Sequence, residues 1–305
     1  MNSWRTGTRT QYRTYLSQWE KYCSDSDKNP LEPDPVLVIE FLTSLYEKGC
    51  GYSVINTARS ALSSVLCLPN GVPIGQHVLV KRFLRGVFNC RPALPRYKQT
   101  WDVKVVLDYI EEKGSNTELT LKELSLKMTM LLALVTGQRS QTLRYLSIDN
   151  MIKCEKKVIF RLTELLKQSR PGFHLQPIVL HSFEVENLCV VKCLEKYLQK
   201  TEDLRSSSQL LISFAKPHKP VTTDTISRWL KTLMREAGVD VSVFTGHSTR
   251  SASTSAASMV GVPIQQIMDT AGWSSTCVFA KFYAKPVLPV SCSYSNAVLS
   301  SVSAC

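Results

Sequence analysis

The sequence predicts a mainly α-helical protein of two domains that contains one small antiparallel β-sheet. Apolar residues recur every three or four positions through most of its 305 residues, which is the pattern of helices that bury one face. The period changes to two near the middle of the chain, which indicates strands. The segment 91–100 holds two prolines and only positive charges, and it separates an all-α part from an α+β part.

These observations set the domain boundaries. They place an all-α helical bundle at 1–92, a basic linker at 93–100, an α+β domain at 101–288 and a C-terminal tail at 289–305. The length suits two ordinary domains, and 44% hydrophobic residues can form sizeable cores. No apolar run reaches about 18 residues, so we expect no membrane span. The basic, polar segment 1–15 does not resemble a secretory signal.

Four amphipathic helices are predicted in the first domain. Aromatic and apolar residues follow a period close to 3.6 in the first helix, while two prolines precede the second and a glycine ends it. The predicted helices cover residues 10–24, 36–49, 51–66 and 77–88.

The second domain is predicted to be helical around a pair of strands. A buried amphipathic helix at 121–135 is stopped by Gly137, and the next helix covers 140–146. Alternating side chains predict a strand at 157–162 and a second at 175–180, with Lys167 in the turn between them. The remaining predicted helices cover residues 187–200, 223–237, 248–260, 263–271 and 275–284.

The charge pattern indicates a polyanionic partner. Formal net charge is +12, and no Asp or Glu occurs between Lys48 and Trp101. Uncompensated positive charge over this length suits a phosphate track, so double-stranded DNA is the expected partner. An ordinary solubilising surface is the alternative. The candidate DNA-binding residues are Lys81, Arg82, Arg85, Arg91, Arg96 and Lys98.

We predict no metal site and no small-molecule cofactor. The ten cysteines are scattered, without a Cys-x-x-Cys pair and without a histidine at ligand spacing. Free thiols in a reducing compartment, mostly in the core, are therefore expected rather than structural zinc.

Two arginines and a lysine have the chemistry needed to hold and protonate a phosphate ester. Arg139 follows a helix-stopping glycine, and Arg250 lies three residues after His247, on one face of a helix. A guanidinium binds two phosphate oxygens and stays charged. Lys167, in a turn, could give a proton to a leaving oxygen. Singly, Arg139 and Lys167 also fit ordinary surface residues.

A histidine, a tryptophan and a tyrosine complete the candidate constellation. His247 can exchange a proton near neutral pH, and its small, polar neighbours would let a backbone approach an anion closely. Trp273 offers an indole N–H donor and a flat aromatic face. Tyr283 could attack phosphorus if nearby cations or a base activate it. A structural histidine, a core tryptophan and a half-buried tyrosine are the alternatives.

The combined pattern resembles the tyrosine recombinase, or phage integrase, family over about 100–290. The resemblance is weak over 1–92, where it implies a helical, SAM-like core-binding domain that closes a two-domain clamp on DNA. The segments KQSRPG and HSTRSASTSAA look most like recombinases of eukaryotic DIRS-like or crypton-type mobile elements. The matching pieces are TGQRSQTLRYLSID with Arg139, the turn with Lys167, HSTR with His247 and Arg250, AGWSS with Trp273, and FAKFY with Tyr283.

The resemblance implies a site-specific recombinase that cuts and rejoins DNA through a 3′-phosphotyrosyl link to Tyr283, without metal or ATP. It further implies a homotetramer on two DNA sites, acting in the nucleus for mobile-element integration. A type IB topoisomerase, a domesticated DNA-binding protein that no longer cuts, and a phage-type enzyme in a bacterial cytoplasm are the alternative interpretations.

Two positions depart from the family pattern. Thr142 stands where bacterial members usually carry an acidic residue, and Trp273 stands where many members have histidine. Tryptophan cannot carry a proton, so proton handling is expected to fall on His247 and Lys167. The apolar residues of the tail, 289–305, are expected to dock on a neighbouring protomer; a frayed terminus is the alternative.

Overall fold

The computed structural model describes residues 3–93, 97–172 and 174–273. The chain divides into two compact units, Met1–Pro95 and Arg96–Cys305, here called the N-terminal and C-terminal units. The N-terminal unit contains α1 (Thr6–Asp25), α2 (Pro35–Glu47), α3 (Tyr52–Ser63) and α4 (Val78–Cys90). The C-terminal unit contains α5 (Val103–Glu112), α6 (Leu121–Thr136), α7 (Ser140–Arg144), β1 (Met151–Cys154), β2 (Lys157–Phe160), β3 (Ile178–His181), α8 (Val190–Thr201), α9 (Thr223–Glu236), α10 (Ser248–Met259) and α11 (Ile264–Ala271).

The four helices of the N-terminal unit surround one apolar core. Trp19 of α1 packs edge-on against Phe41 of α2, with ring centroids 5.4 Å apart, and its indole N–H donates to the Pro30 carbonyl at 2.8 Å. Asp34 caps α2 by accepting from the Val36 N–H at 2.8 Å, with Pro35 in the first turn. The apolar period of the sequence therefore corresponds to buried helix faces.

Helix α6 forms the centre of the C-terminal unit, where it packs against α8, α9 and α10. A capping box between Thr120 and Glu123 starts it, and Gly137 ends it in the left-handed conformation at φ +56°. Most of its side chains are buried, including Leu124, Met128 and Leu131. The two ends are thus fixed by local sequence and the middle by packing.

The sheet has three antiparallel strands in the order β1-β2-β3. Val158 and Phe160 of β2 are buried and pair with Leu180 and Ile178 of β3. The prediction of a mainly helical chain with one small antiparallel sheet is confirmed. The sequence did not predict β1, whose side chains are mostly exposed and carry no apolar alternation, or the short helix α5.

Two further observations concern the described residues. No helix in them is long and apolar enough to cross a membrane. Seven cysteines are free thiols there, but only Cys23, Cys189 and Cys193 are buried, so the expectation of mostly core cysteines is wrong for this part of the chain. The predicted helix 275–284 and the tail 289–305 lie outside the described residues.

Candidate active site

The site lies around the turn of the chain that follows α6, residues 137–139, here called the corner. A side chain at Gly137 would bring its Cβ within 3.2 Å of Thr254 Cγ2 and 3.4 Å of Ala271 Cβ, in a backbone conformation that side chains avoid. Glycine therefore lets α10 and α11 approach the corner closely. Arg139, two residues on, is half-buried and occupies the N-cap position of α7.

Arg250 is buried behind this corner. It is only 2% exposed, and its Nη1 donates to the Gly137 carbonyl at 2.6 Å. Its guanidinium carbon lies 4.0 Å from the ring centroid of Trp273, a cation–π contact. Burying a guanidinium is costly unless its charge is paired or hydrogen-bonded. Arg250 is therefore an interior residue whose position is set by contacts with two other parts of the chain.

The small residues around Arg250 pack helices together. Ser248, Thr249 and Ser251 are each at most 2% exposed, and α10 packs directly against α6. The Thr254 hydroxyl donates to the Arg250 carbonyl at 2.8 Å. These small side chains let two helices meet closely, while their expected role in bringing a backbone near an anion stays a prediction.

His247 lies at the N-cap position of α10 with its ring partly exposed. Partial desolvation of the ring lowers its pKa from the ordinary value, and the positive charges of Arg250, Arg139 and Lys167 lower the pKa further. These three cations, which come from separate parts of the chain, therefore act on one imidazole. The loop before it is tightly placed, since a Cβ on Gly246 would lie 2.7 Å from the Ser227 carbonyl oxygen.

Lys167 is exposed at the tip of a turn in the connection between β2 and β3. The turn is closed by two reciprocal bonds: the Ser169 N–H donates to the Leu166 carbonyl, and the Leu166 N–H donates to Ser169 Oγ, both at 3.0 Å. Leu166 and Ser169 are buried. The neighbouring Gln168 accepts from Arg139 Nη1 at 3.1 Å through its Oε1.

Trp273 closes the described part of the site. It is 7% exposed and follows Gly272, which ends α11 at φ +69°. The structure thus brings Arg139, Lys167, His247, Arg250 and Trp273 into one neighbourhood. Tyr283 lies outside the described residues, so its predicted role as nucleophile stays a prediction.

Sequence reasoning missed three residues that support this arrangement. Gln168 contacts Arg139, and Gln138 Nε2 donates to the Thr270 carbonyl at 2.6 Å, tying the corner to α11. Trp101 donates from its indole to Ser248 Oγ at 2.9 Å, at the start of α10. Gln138 and Gln168 adjoin the singled-out Arg139 and Lys167, which is the only signal that the sequence offered.

The candidate DNA-binding residues differ in their surroundings. Lys81, Arg82 and Arg85 are exposed along α4, and Lys98 is exposed at the start of the C-terminal unit. Arg91, in contrast, donates to the Tyr46 and Cys50 carbonyls and lies 3.7 Å from the centre of the Tyr46 ring. It has a structural role within the N-terminal unit. Arg96 lies outside the described residues.

A basic cleft of about 480 Å³ lies on the N-terminal unit between α3 and α4. Arg59, which donates to Asn56 Oδ1 at 2.7 Å, lines it together with Lys81 and Arg85. The exposed Phe88 ring contacts Tyr52 edge-on beside them, with centroids 5.2 Å apart. Arg59 and Asn56 were absent from the predicted binding residues because their position relative to α4 depends on tertiary packing.

The side chains that could ligate a metal are scattered. Within residues 3–93, 97–172 and 174–273, no three His, Cys, Asp or Glu side chains are grouped so that they could hold a metal ion. The charged groups that act on His247 are the cations named above.

The family of this chain follows from comparison with known protein families. The sequence model of the phage integrase family matches residues 103–286. The chain belongs to the phage integrase family. Membership supports an enzyme that cleaves and rejoins DNA. No curated protein matches the sequence.

Solved structures of recombinases and integrases share the fold at low sequence identity. The Tn1549 transposon integrase (residues 82–397) in complex with circular intermediate DNA has a TM-score of 0.62 at 14% identity, over 98% of this chain and 94% of that one. XerH recombinase bound to palindromic difH substrate has a TM-score of 0.59 at 15% identity, over 87% and 73%. A lambda integrase (75–356) dimer bound to a COC′ core site has 0.56 at 15%, over 92% and 90%.

Proposed function

We propose that this phage integrase family member is a site-specific recombinase that cuts and rejoins double-stranded DNA through a 3′-phosphotyrosyl intermediate at Tyr283. One observation carries the proposal. Three cations from separate segments of the chain act electrostatically on His247, and one of them, Arg250, is held between the Gly137 carbonyl and the Trp273 ring. Positive charge concentrated near one imidazole suits the binding of a phosphate ester.

The proposed first step exchanges one phosphoester for another. The Tyr283 oxygen attacks the scissile phosphorus, its proton passes to the neutral imidazole of His247, and the bond from phosphorus to the 5′-oxygen breaks. Lys167 gives a proton to the leaving 5′-oxygen. A 5′-hydroxyl from a second strand then reverses the step. Bond energy is kept in the phosphotyrosine, so the proposed chemistry uses neither metal nor ATP.

The two arginines supply the electrostatic stabilisation. The transition state places additional negative charge on the non-bridging oxygens, and Arg139 and Arg250 would bind them. Trp273 acts by fixing the plane of the Arg250 guanidinium, which lies 4.0 Å from its ring. Because the indole cannot release a proton usefully, its proposed role is support rather than acid catalysis.

Several finer features belong to the same proposal. The N-terminal unit, with the exposed cations of α4, would form the second half of a clamp on DNA, and four copies would act on two DNA sites. The resemblance of HSTRSASTSAA to DIRS-like and crypton-type recombinases supports a eukaryotic mobile element and therefore the nucleus. The tail 289–305 would dock on a neighbouring protomer. The similarity in fold to recombinases and integrases favours strand exchange over topoisomerase relaxation.

The experiment is covalent trapping on genomic DNA fragments, followed by sequencing of the trapped DNA. The wild-type protein is expected to yield adducts that survive denaturation and share one site. Tyr283→Phe should bind the same DNA without an adduct, because the attacking oxygen is gone.

The matched control is Tyr294→Phe, which removes the hydroxyl of the other tyrosine in the C-terminal segment and should leave trapping intact. An adduct in Tyr283→Phe would refute the assignment of the nucleophile. Trapping without any preferred site, together with relaxation of arbitrary supercoiled plasmids, would favour a topoisomerase.

A further inference from the structure

Gln168 occupies a position that the proposed reaction does not yet explain. It lies between Lys167 and Ser169, so it belongs to the turn that carries the lysine. Its side chain points back towards Arg139, which donates from Nη1 to Oε1 at 3.1 Å. Because a guanidinium can only donate, the carbonyl end of the amide must face Arg139. One short side chain therefore links the lysine turn to the first arginine.

The opposite end of the amide is buried close to Gly272. Gln168 Nε2 would lie 2.9 Å from a Cβ built on Gly272, and it has no hydrogen-bond partner among the described residues. Leu175, later in the same connection, would lie 2.5 Å from that Cβ. Only glycine at 272 lets the β2–β3 connection approach α11 this closely. The amide thus lies between Arg139, which bonds to it, and the backbone before Trp273, which packs close to it.

The connection needs such an anchor. Its described residues, 161–172 and 174–177, form no helix or strand, and Lys167 is exposed at its tip. The two bonds between Leu166 and Ser169 fix the shape of the turn, but they do not fix where the turn lies relative to the arginines. The bond from Arg139 to Gln168 joins the turn to the N-cap of α7, which the corner at Gly137 positions.

The chemistry of the amide suits this place. A glutamate there would also accept from Arg139, but its charge would compete with a phosphate for the guanidinium and for the Lys167 ammonium. A neutral carbonyl accepts one bond from Arg139 and leaves the remaining donors of the guanidinium for a substrate oxygen.

We infer that Gln168 is a positioning residue that holds the Lys167 turn against Arg139, so that the proton donor and the phosphate clamp keep a fixed separation. The inference rests on the proposed function for its catalytic consequence. Its structural part, the anchoring of the turn, stands without it.

Gln168→Met tests the anchor because methionine keeps the length and bulk of the side chain but lacks the amide acceptor. The matched control is Gln199→Met on α8, which removes an exposed glutamine that accepts from Lys196 at 2.9 Å, outside the site. Hydrogen exchange on the free protein is the first measurement. The Leu166 and Ser169 amides should exchange faster in Gln168→Met and unchanged in Gln199→Met. Unchanged exchange at both amides in Gln168→Met would overturn the inference whether or not the protein cuts DNA.

The catalytic consequence is read on two duplexes built on the trapped site, one with the natural 5′-oxygen and one with sulfur as the bridging leaving atom. A thiolate leaves without protonation, so the sulfur duplex does not need the lysine. Gln168→Met should cleave the oxygen duplex about 10²-fold more slowly, the typical cost of misplacing a catalytic group by about 1 Å. It should cleave the sulfur duplex at close to the wild-type rate, as Lys167→Ala should.

A loss of positioning and a loss of folding predict different cleavage rates on the two duplexes. Equal losses on both duplexes would overturn the inference, since Gln168 would then act through the arginine clamp or through folding. Failure of the wild-type protein to cleave either duplex would instead refute the proposed function, and the exchange measurement would still decide the anchoring of the turn.

Discussion

Positive charge is used differently on α4 and around Arg250. On α4 Lys81, Arg82 and Arg85 are exposed, and the first and last of them also line the basic cleft. In the C-terminal unit Arg250 is 2% exposed and held by a carbonyl and an indole ring. Arg91, which follows α4, is held in a similar way by two carbonyls and a tyrosine ring. Arginine is thus a replaceable surface charge along α4 and a fixed part of the packing at positions 91 and 250.

The difference distinguishes the charges that are expected to supply affinity for DNA from the charge that is expected to take part in the reaction. Exposed charges act together, are screened by salt and contribute little singly. A buried guanidinium carries a desolvation cost, so we expect Arg250 to act through its exact placement rather than through its charge alone. The comparison predicts additive, salt-dependent effects on α4 and large, salt-independent effects at Arg250.

The largest effect is expected from Arg250→Lys. Lysine keeps the charge but loses the planar fork that bonds Gly137 and stacks on Trp273. Covalent adduct formation should fall by about 10²- to 10³-fold at every salt concentration, because one preorganised donor to the transition state is lost. Rates from quenched time courses on the trapped site measure it.

The control for this change is Arg228→Lys, an exposed arginine on α9 that donates to Thr225 Oγ1 at 3.2 Å. The Arg228→Lys variant should cleave DNA at the wild-type rate. A loss in Arg250→Lys that disappears at low salt would mean that Arg250 acts as a surface charge, and the contrast with α4 would fail.

A smaller effect is expected from neutralising α4. Lys81→Gln, Arg82→Gln and Arg85→Gln should each weaken DNA binding, with the slope of log affinity against log salt reduced by about 0.9 for each phosphate that the variant no longer neutralises. The cleavage rate at saturating protein should not change. Binding titrations across a salt series measure the slope.

Lys21→Gln on α1 removes the same charge from the same unit, at a residue paired with Asp25 at 3.4 Å. Its slope should match that of the wild-type protein. If Lys21→Gln reduces the slope as much as the α4 variants do, net charge rather than the α4 surface governs binding.

The smallest effect concerns the titration of His247. Its lowered pKa means that the imidazole stays neutral as pH falls below about 6.5, the ordinary value, and charges only at lower pH. Between the lowered pKa of the folded protein and the ordinary value, the unfolded chain binds more protons than the folded one. His247 therefore makes the free energy of unfolding rise with pH in that range. Arg139→Gln should raise the pKa by removing one of the cations, and Arg59→Gln, in the other unit, should not.

NMR titration of the imidazole signals measures this shift in the free protein. A His247 pKa above the ordinary value, or one indifferent to Arg139→Gln, would contradict the shared electrostatic neighbourhood.

The sequence predicted the mainly helical fold and its small sheet, because both depend on local periodicity. Arg139 and the HSTR segment could be singled out because a helix-stopping glycine and a spacing of three are local signals, while their catalytic roles stay predictions. Gln168 could not, since its partner Arg139 is 29 residues away and only the packing of the β2–β3 connection brings them together. The packing of α10 against α6 could not be predicted either, because the sequence does not show which helix covers the small residues of α10.

The most direct test of the central claim is the identity of the residue that carries the DNA. Trapped adducts can be digested with nuclease and protease, and the modified peptide sequenced by mass spectrometry. Fragmentation distinguishes Tyr283 from Tyr294, which lies in the same C-terminal segment. We predict a nucleotide attached through its 3′-phosphate to Tyr283. A nucleotide on any other residue, or linkage through a 5′-phosphate, would contradict the proposed function.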